Sequence, residues 1–269
     1  MNNQNEINTL RNSAYLYDFD IRDNLTSDIP FYLTYGDAAK GGVLELGCGT
    51  GRVSLILAEN GFHVTCLDIS DNMLAVFEKK LDEKPQSVKA NIEIVKGDMA
   101  DFSFRKKFGL IITPFRAFQA LTDENDIQNS LSCIRDNLAD NGIFIINVFR
   151  PYDGMGEEWV YAEKVQWERI DEKTGIHIVK KHWGDKIDIK NQIIYPHYAF
   201  EITKPDGSFE RTVDNLALKY YKYEQLKTLL IDNGFSILEK YGWYDKSNIE
   251  NGRELIFICR KAVKNTYER

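Results

Sequence analysis

The chain has 269 residues, 43% of them hydrophobic, which suits one large domain or one domain with a sizeable insertion and excludes global disorder. A formal net charge of −7 weighs against a broad nucleic-acid footprint, which needs clustered Lys and Arg. Cys48, Cys66, Cys133 and Cys259 lie far apart with no C-x-x-C pair, so zinc spacing and a disulfide framework are both unsupported.

The start, "MNNQNEINTLRNSAY", is polar and has no apolar signal core. Nowhere does the chain reach the roughly 18 consecutive apolar residues of a membrane span. A cytoplasmic protein without a membrane or nucleic-acid partner, monomeric or homodimeric, is expected. "AYLYDFDIRD" then precedes a predicted helix, "SDIPFYLTYGDAA". From about residue 42 to 149, strand-like and helix-like stretches alternate. "GVLELG" is a short apolar strand. "GRVSLILAEN" has helical spacing at Val53, Leu57 and Ala58 and stops at Asn60-Gly61. After the strand "FHVTCLDIS", Ser70 or Asp71 caps a helix with Met73, Leu74, Phe77 and Leu81 on one face. "NIEIVKGDM" and "FGLIITPF" are further strands, the latter ended by Pro114, which cannot donate to a central ladder. Ile127, Leu131, Ile134 and Leu138 line one face of the next helix, and "GIFIINVF" is a fifth strand. Strands apolar on both faces and separated by helices predict a parallel sheet covered on both sides.

The pattern changes after Arg150. Long strand candidates with no convincing helix run to Tyr220; Trp159, Tyr161, Glu163, Val165 and Trp167 alternate with more polar neighbours. Ile194, Pro196, Tyr198, Phe200 and Ile202 fall on one face of another strand, and "DEKTG" and "KPDGS" read as hairpin turns. Helix resumes at "KYEQLKTLLIDNG", followed by the strands "FSILEKYGWY" and "RELIFICRK". The expected fold is α/β: a doubly wound, mostly parallel, Rossmann-like sheet of about seven strands with an antiparallel edge, plus an inserted antiparallel sheet of roughly four strands.

"VLELGCGTGR", residues 43–52, places three glycines at a strand end, before a helix N-terminus. Glycines let the backbone approach a ligand, and free N–H groups there point at it. A P-loop would need Lys after its last glycine, and none follows Gly51. A dinucleotide fingerprint would need glycine where Arg52 stands. The spacing is G-x-G-x-G, with Glu45 two residues ahead.

"LELGCGTGR" resembles motif I of the class I S-adenosylmethionine (SAM)-dependent methyltransferases, and the likeness continues in order through "CLDIS", "VKGDMADF", "ITPFRAFQAL" and "LADNGIFIINVF". The resemblance implies SAM as cofactor, S-adenosylhomocysteine as its product, and no metal. It assigns the cofactor site to Tyr17, Glu45, Gly47, Cys48, Gly49, Gly51, Asp68, Ile69, Met73, Gly97, Asp98, Met99, Thr113 and Phe115. Asp68 would accept the ribose hydroxyls, each such bond contributing about 1.5–3 kcal/mol. Asp98 and Met99 would meet the adenine, and Glu45 would steady the loop or hold the ligand's amino group through a water. Tyr17-Asp18, with Tyr15 and Arg22 behind, would belong to a lid over residues 1–40. The cofactor domain would span 41–150 and 221–263, and 151–220 would roof the acceptor pocket or form a dimer surface.

Methyl transfer is an in-line displacement, so the enzyme mainly holds the acceptor within roughly 3–3.5 Å of the methyl. "TPFR" replaces the Asn-Pro-Pro-Tyr turn of relatives that methylate base amines or glutamine amides, which favours a small molecule. The chain resembles small bacterial methyltransferases with a β-rich insertion after the fifth strand, some of which act on amines of sugars or amino acids. Aromatic faces favour a cation, making an amine one candidate. Arg116, His197 and Tyr195 are the candidate acceptor contacts, with Arg116 suited to a carboxylate. A catalytically inactive SAM-binding regulatory or assembly protein and an NAD-linked oxidoreductase are the alternatives.

Overall fold

The structure is a computed structural model describing residues 12–20 and 26–263; Arg22 lies outside the described residues. A 3₁₀ helix over Ala14–Phe19 precedes two short helices, α1 (Asp28–Leu33) and α2 (Gly36–Ala39). The alternating half runs β1 (Val43–Leu46), α3 (Arg52–Glu59), β2 (Val64–Asp68), α4 (Asp71–Asp82), α5 (Gln86–Lys89), β3 (Ile92–Lys96), β4 (Phe108–Thr113), α6 (Glu124–Asn137) and β5 (Leu138–Phe149). Five strands follow: β6 (Tyr161–Ile170), β7 (His177–Asp188), β8 (Ile193–Thr203), β9 (Phe209–Asn215) and β10 (Leu218–Lys219). Then come α7 (Tyr223–Asp232), β11 (Phe235–Tyr241) and β12 (Glu254–Lys261).

The first sheet has seven strands in the order β11-β12-β5-β4-β1-β2-β3. β5, β4, β1, β2 and β3 are mutually parallel, while β12 runs antiparallel to β5 and to β11. The expected antiparallel edge is therefore present. Burial on both faces explains the unbroken apolar runs. Leu44, Ile111, Ile146 and Phe257 pack with Ile127 and Leu131 of α6 and Leu226 of α7 on one side. Val43, Ile112, Ile145 and Ile256 pack with Phe31 of α1, Leu57 of α3 and Phe77 of α4 on the other. Caps start the long helices as their sequences suggest: Ser70 Oγ accepts from Met73 N–H, and the Asp123 carboxylate accepts from the Asn125 and Asp126 N–H groups. Strand order reverses between β1 and β4, and open α/β sheets bind ligands at the carboxyl ends flanking such a point.

The insertion is an antiparallel sheet of five strands rather than four, ordered β10-β8-β7-β6 with β9 beside β8. Its inner face buries Ile178, Phe200 and Ile202 against Leu16 of the N-terminal 3₁₀ helix. The simple alternation expected from Trp159 to Trp167 does not hold. Trp159 ends a 3₁₀ turn ahead of β6, and two register shifts interrupt the pairing of β6 with β7. Each bulge adds a residue and turns the following side chains over. Val165 consequently pairs with Lys181 and stays exposed, while Trp167 pairs with Lys180 and joins the inner core.

Candidate active site

Two connections meet at the reversal point: the glycine loop after β1 and the loop after β4. Gly47, Gly49 and Gly51 all have positive φ (71°, 56° and 76°), a region that L side chains rarely adopt. Their reasons differ. A Cβ on Gly47 would lie 2.6 Å from Ala117 Cβ, and one on Gly51 would run into the Phe77 ring. A Cβ on Gly49 would meet nothing within 4 Å. Gly47 and Gly51 are small so that the protein can pack; Gly49 faces open space.

Asp68, at the tip of β2, accepts from Gly49 N–H (2.7 Å, Oδ2) and Ser70 N–H (2.9 Å, Oδ1). It thus braces the loop, and a carboxylate with about four acceptor positions retains two for a ligand. Ile69 beside it is 38% exposed, an apolar face on the rim. Gly97 donates to the Asp68 carbonyl, which brings the tip of β3 alongside. Asp98 accepts from Ala100 N–H and shapes that turn, while Met99 reaches back to the glycine loop, 3.4 Å from where a Gly47 Cβ would sit.

Glu45 and Cys48 are buried. Glu45 bonds Ser54 Oγ within α3, and burial pushes its carboxyl up to about 8, against the opposing pull of Ser54 and Arg52. Of the two expectations for Glu45, bracing of the loop region is the one with a partner. Burial likewise raises the Cys48 thiol well above its usual range, so it is inert as a nucleophile.

The loop after β4 is strained. Phe115 and Arg116 both have positive φ, 46° and 71°, which costs of order 1–3 kcal/mol per residue and persists only where surroundings impose it. Two restraints are visible. The guanidinium groups of Arg52 and Arg116 each lie 5.7 Å from the Phe115 ring centre. Arg116 is ion-paired with buried Glu254 of β12 and also stacks over Phe149. Glu254 accepts from Asn147 Nδ2 (2.9 Å), and Asn147 Oδ1 accepts from the Tyr244 hydroxyl (2.8 Å). A polar chain therefore crosses the sheet interior and ends on the strained loop. Just before that loop, Thr113 Oγ1 is buried without a hydrogen-bond partner among the described residues.

The N-terminal segment closes over these loops. Asp18 accepts from Thr50 Oγ1 of the glycine loop (2.8 Å) and from Lys80 of α4 (2.7 Å). Asp20 forms a buried ion pair with Lys180 of β7 (2.7 Å). Asp28 takes both Nη groups of Arg52 (2.7 and 2.6 Å), tying α1 to the start of α3. Tyr15, expected behind the Tyr17-Asp18 pair, instead points outward and donates to Glu210 of β9.

Beneath this segment lies a cavity of about 170 Å³. Its walls come from three regions: Ser13, Tyr17 and Asp20 of the N-terminal segment; Met73 and the 115–117 loop of the first sheet; and Lys180, Tyr198, Phe200 and Asp214 of the insertion. Tyr17, Met73, Phe115 and Arg116 thus line one cavity. His197 and Tyr195 do not. Alternation along β8 aims Tyr198 and Phe200 at the cavity and carries Tyr195 and His197 to the other face. There His197 stacks on Trp183 (4.9 Å between centres), bonds Asn215 (2.6 Å) and lies 2.8 Å from Asp185, while Tyr195 carries Lys186 over its ring. Arg116 is already neutralised by Glu254, which removes the ground for expecting it to bind an acceptor carboxylate. Asp20, Lys180, Asp214 and Glu254 were missed because their partners lie 160, 201 and 138 residues away, beyond any local motif.

Residues 43–142 match the family model of a methyltransferase domain. A methyltransferase-named protein of Geobacillus sp. (strain WCH70) is 23% identical over 228 residues, covering 84% of this chain and 87% of its own. The CcbJ methyltransferase of Streptomyces caelestis superposes with a TM-score of 0.75 at 20% identity, covering 93% of this chain and 96% of that one. The SAM-bound amino pentose methyltransferase of Micromonospora echinaspora superposes with a TM-score of 0.65 at 15% identity, covering 94% and 98%. The loops fit SAM on their own terms: open space over Gly49, a carboxylate with spare acceptor positions at Asp68 and an exposed apolar face at Ile69 suit the polar sugar and flat base of a nucleoside. Joined to the strand order, that fit and the match over residues 43–142 support a methyltransferase domain of the class I S-adenosylmethionine-dependent kind, with S-adenosylmethionine as its cofactor.

Proposed function

We propose that this protein transfers a methyl group to a small-molecule amine held in the cavity between the glycine-loop sheet and the insertion. The cofactor supplies an activated methyl on a positively charged sulfur. In this reading Asp68 accepts hydrogen bonds from the ribose hydroxyls and keeps the loop in shape through Gly49. Ile69 and Met99 flank the adenine, with Asp98 at its edge. Tyr17, Met73 and Phe115 border the methyl-bearing end, next to the acceptor cavity. Residues 41–150 and 221–263 act as the cofactor domain, 151–220 as the roof and 1–40 as the lid.

The observation that carries this reading is the cavity itself, which opens among all three regions and is walled by Tyr17, Phe115, Tyr198 and Phe200. Ring faces stabilise cations by about 0.5–2 kcal/mol once desolvated. A lid that excludes water and fixes the acceptor lowers the barrier through proximity. The Micromonospora relative acts on an amino pentose, a small amine in keeping with this cavity. The four cysteines are free, as in a reducing cytoplasm.

Isotope-labelled SAM incubated with the protein and separate metabolite, RNA and protein fractions tests this. Label is expected in the metabolite fraction. Label in RNA or protein would overturn the acceptor class, and tight S-adenosylhomocysteine binding with no transfer to any fraction would favour the regulator.

A further inference from the structure

The charges around the cavity do not balance equally. Lys180 is paired with Asp20 at 2.7 Å, and Arg116 is paired with Glu254. Asp214 on β9 is 5% exposed, and among the described residues its carboxylate accepts only from Ser13, through the hydroxyl and, at 3.3 Å, the backbone N–H. No salt bridge to Asp214 is present among the described residues. Two neutral donors leave about two of its acceptor positions unused. A buried carboxylate without a cation is unfavourable unless something supplies one.

The same wall shows what kind of cation it can hold. The Lys180 ammonium sits 5.0 Å from the centre of Tyr198 and 5.4 Å from that of Phe200, with Asp20 as its counter-ion. One carboxylate plus ring faces thus already solvates an ammonium inside this cavity. Asp214 repeats the carboxylate half of that arrangement, facing the same space.

We propose that Asp214, set by Ser13, is the specificity-determining residue for the acceptor: it accepts hydrogen bonds from the ammonium form of a primary or secondary amine and discriminates against the matching alcohol, and the bound ammonium gives one proton to water before transfer, so that the freed lone pair takes the methyl while the sulfur keeps the bonding pair and leaves as neutral S-adenosylhomocysteine. The proposal deepens the methyltransferase reading above and rests on it.

The test uses the full chain, labelled SAM and paired probes: glucosamine with glucose, and putrescine with butane-1,4-diol. Label is expected on the amines only. Asp214→Asn should raise the amine KM by about 30-fold or more while leaving S-adenosylhomocysteine affinity within about twofold. Asp214→Glu keeps the charge and should retain amine transfer. Comparable label on the alcohols, an unchanged amine KM in Asp214→Asn, or product binding without label on any amine would each overturn the proposal. Failure of the wild-type chain to bind S-adenosylhomocysteine in calorimetry would instead overturn the reading beneath it. If Asp214→Asn loses its melting transition, the Asp214→Glu comparison and the wild-type amine-to-alcohol ratio still decide the matter.

Discussion

Replacing Gly49 with alanine separates ligand binding from folding, because the three loop glycines are glycine for different reasons. At φ 56° an alanine is strained by roughly 1–2 kcal/mol, partly offset by about 0.4–1 kcal/mol from the stiffer unfolded chain. The added methyl meets nothing within 4 Å, so no clash follows. A net loss near 1 kcal/mol lowers Tm by about 2–4 °C in a chain of this size. The methyl does project into the space assigned to the cofactor. Overfilling a packed contact costs about 1–3 kcal/mol, so S-adenosylhomocysteine affinity should fall by about 5- to 150-fold. Gly51→Ala reverses the balance: similar strain plus a collision with the Phe77 ring adds to about 2–5 kcal/mol of lost stability. Scanning fluorimetry gives Tm for both variants, and isothermal calorimetry gives the affinity. If Gly49→Ala binds the product as tightly as wild type, or melts as low as Gly51→Ala, the loop is not the cradle described.

Asp68→Ala removes the braces on Gly49 and Ser70 together with the proposed diol acceptor, and should weaken S-adenosylhomocysteine by about 10- to 100-fold in calorimetry; an unchanged Kd would exclude the role. Asp28→Ala removes both carboxylate acceptors of the largely buried Arg52 guanidinium and should destabilise the fold by about 3–5 kcal/mol in urea unfolding, whereas a loss under about 1 kcal/mol would show that solvent or other groups compensate it. For Glu45 the folded state holds its proton up to about 8, against an ordinary 4.5. Its contribution is fully present below 4.5 and lost as pH rises through 8, with a slope of at most about 1.4 kcal/mol per pH unit. Glu45→Gln should flatten the stability profile across that window; a profile parallel to wild type would mean that the carboxyl titrates normally.

Much of the fold was written in local pattern. Apolar runs such as "FGLIIT" announce strands buried on both faces, Ser70 and Asp123 announce helix starts, and the glycines after β1 announce a left-handed loop at a strand end. These signals are legible because each depends on residues within a turn or two of one another. The insertion was harder. Its composition marks strands and hairpin turns, yet the bulges in β6 invert Val165 and Trp167, and only packing decides which face of β8 looks inward. That choice sends Tyr198 to the cavity and His197 away from it, though both are polar aromatics in one strand.

The sequence alone determined the parallel sheet, the G-x-G-x-G loop and the acidic tip of β2, because backbone conformation and hydrophobic period are set by near neighbours. Tertiary structure alone decided the cavity wall. Asp20 meets Lys180, Ser13 meets Asp214 and Arg116 meets Glu254 only once separate elements have packed. Pairings across such separations leave no period or spacing in the chain, since they arise from where whole elements come to rest.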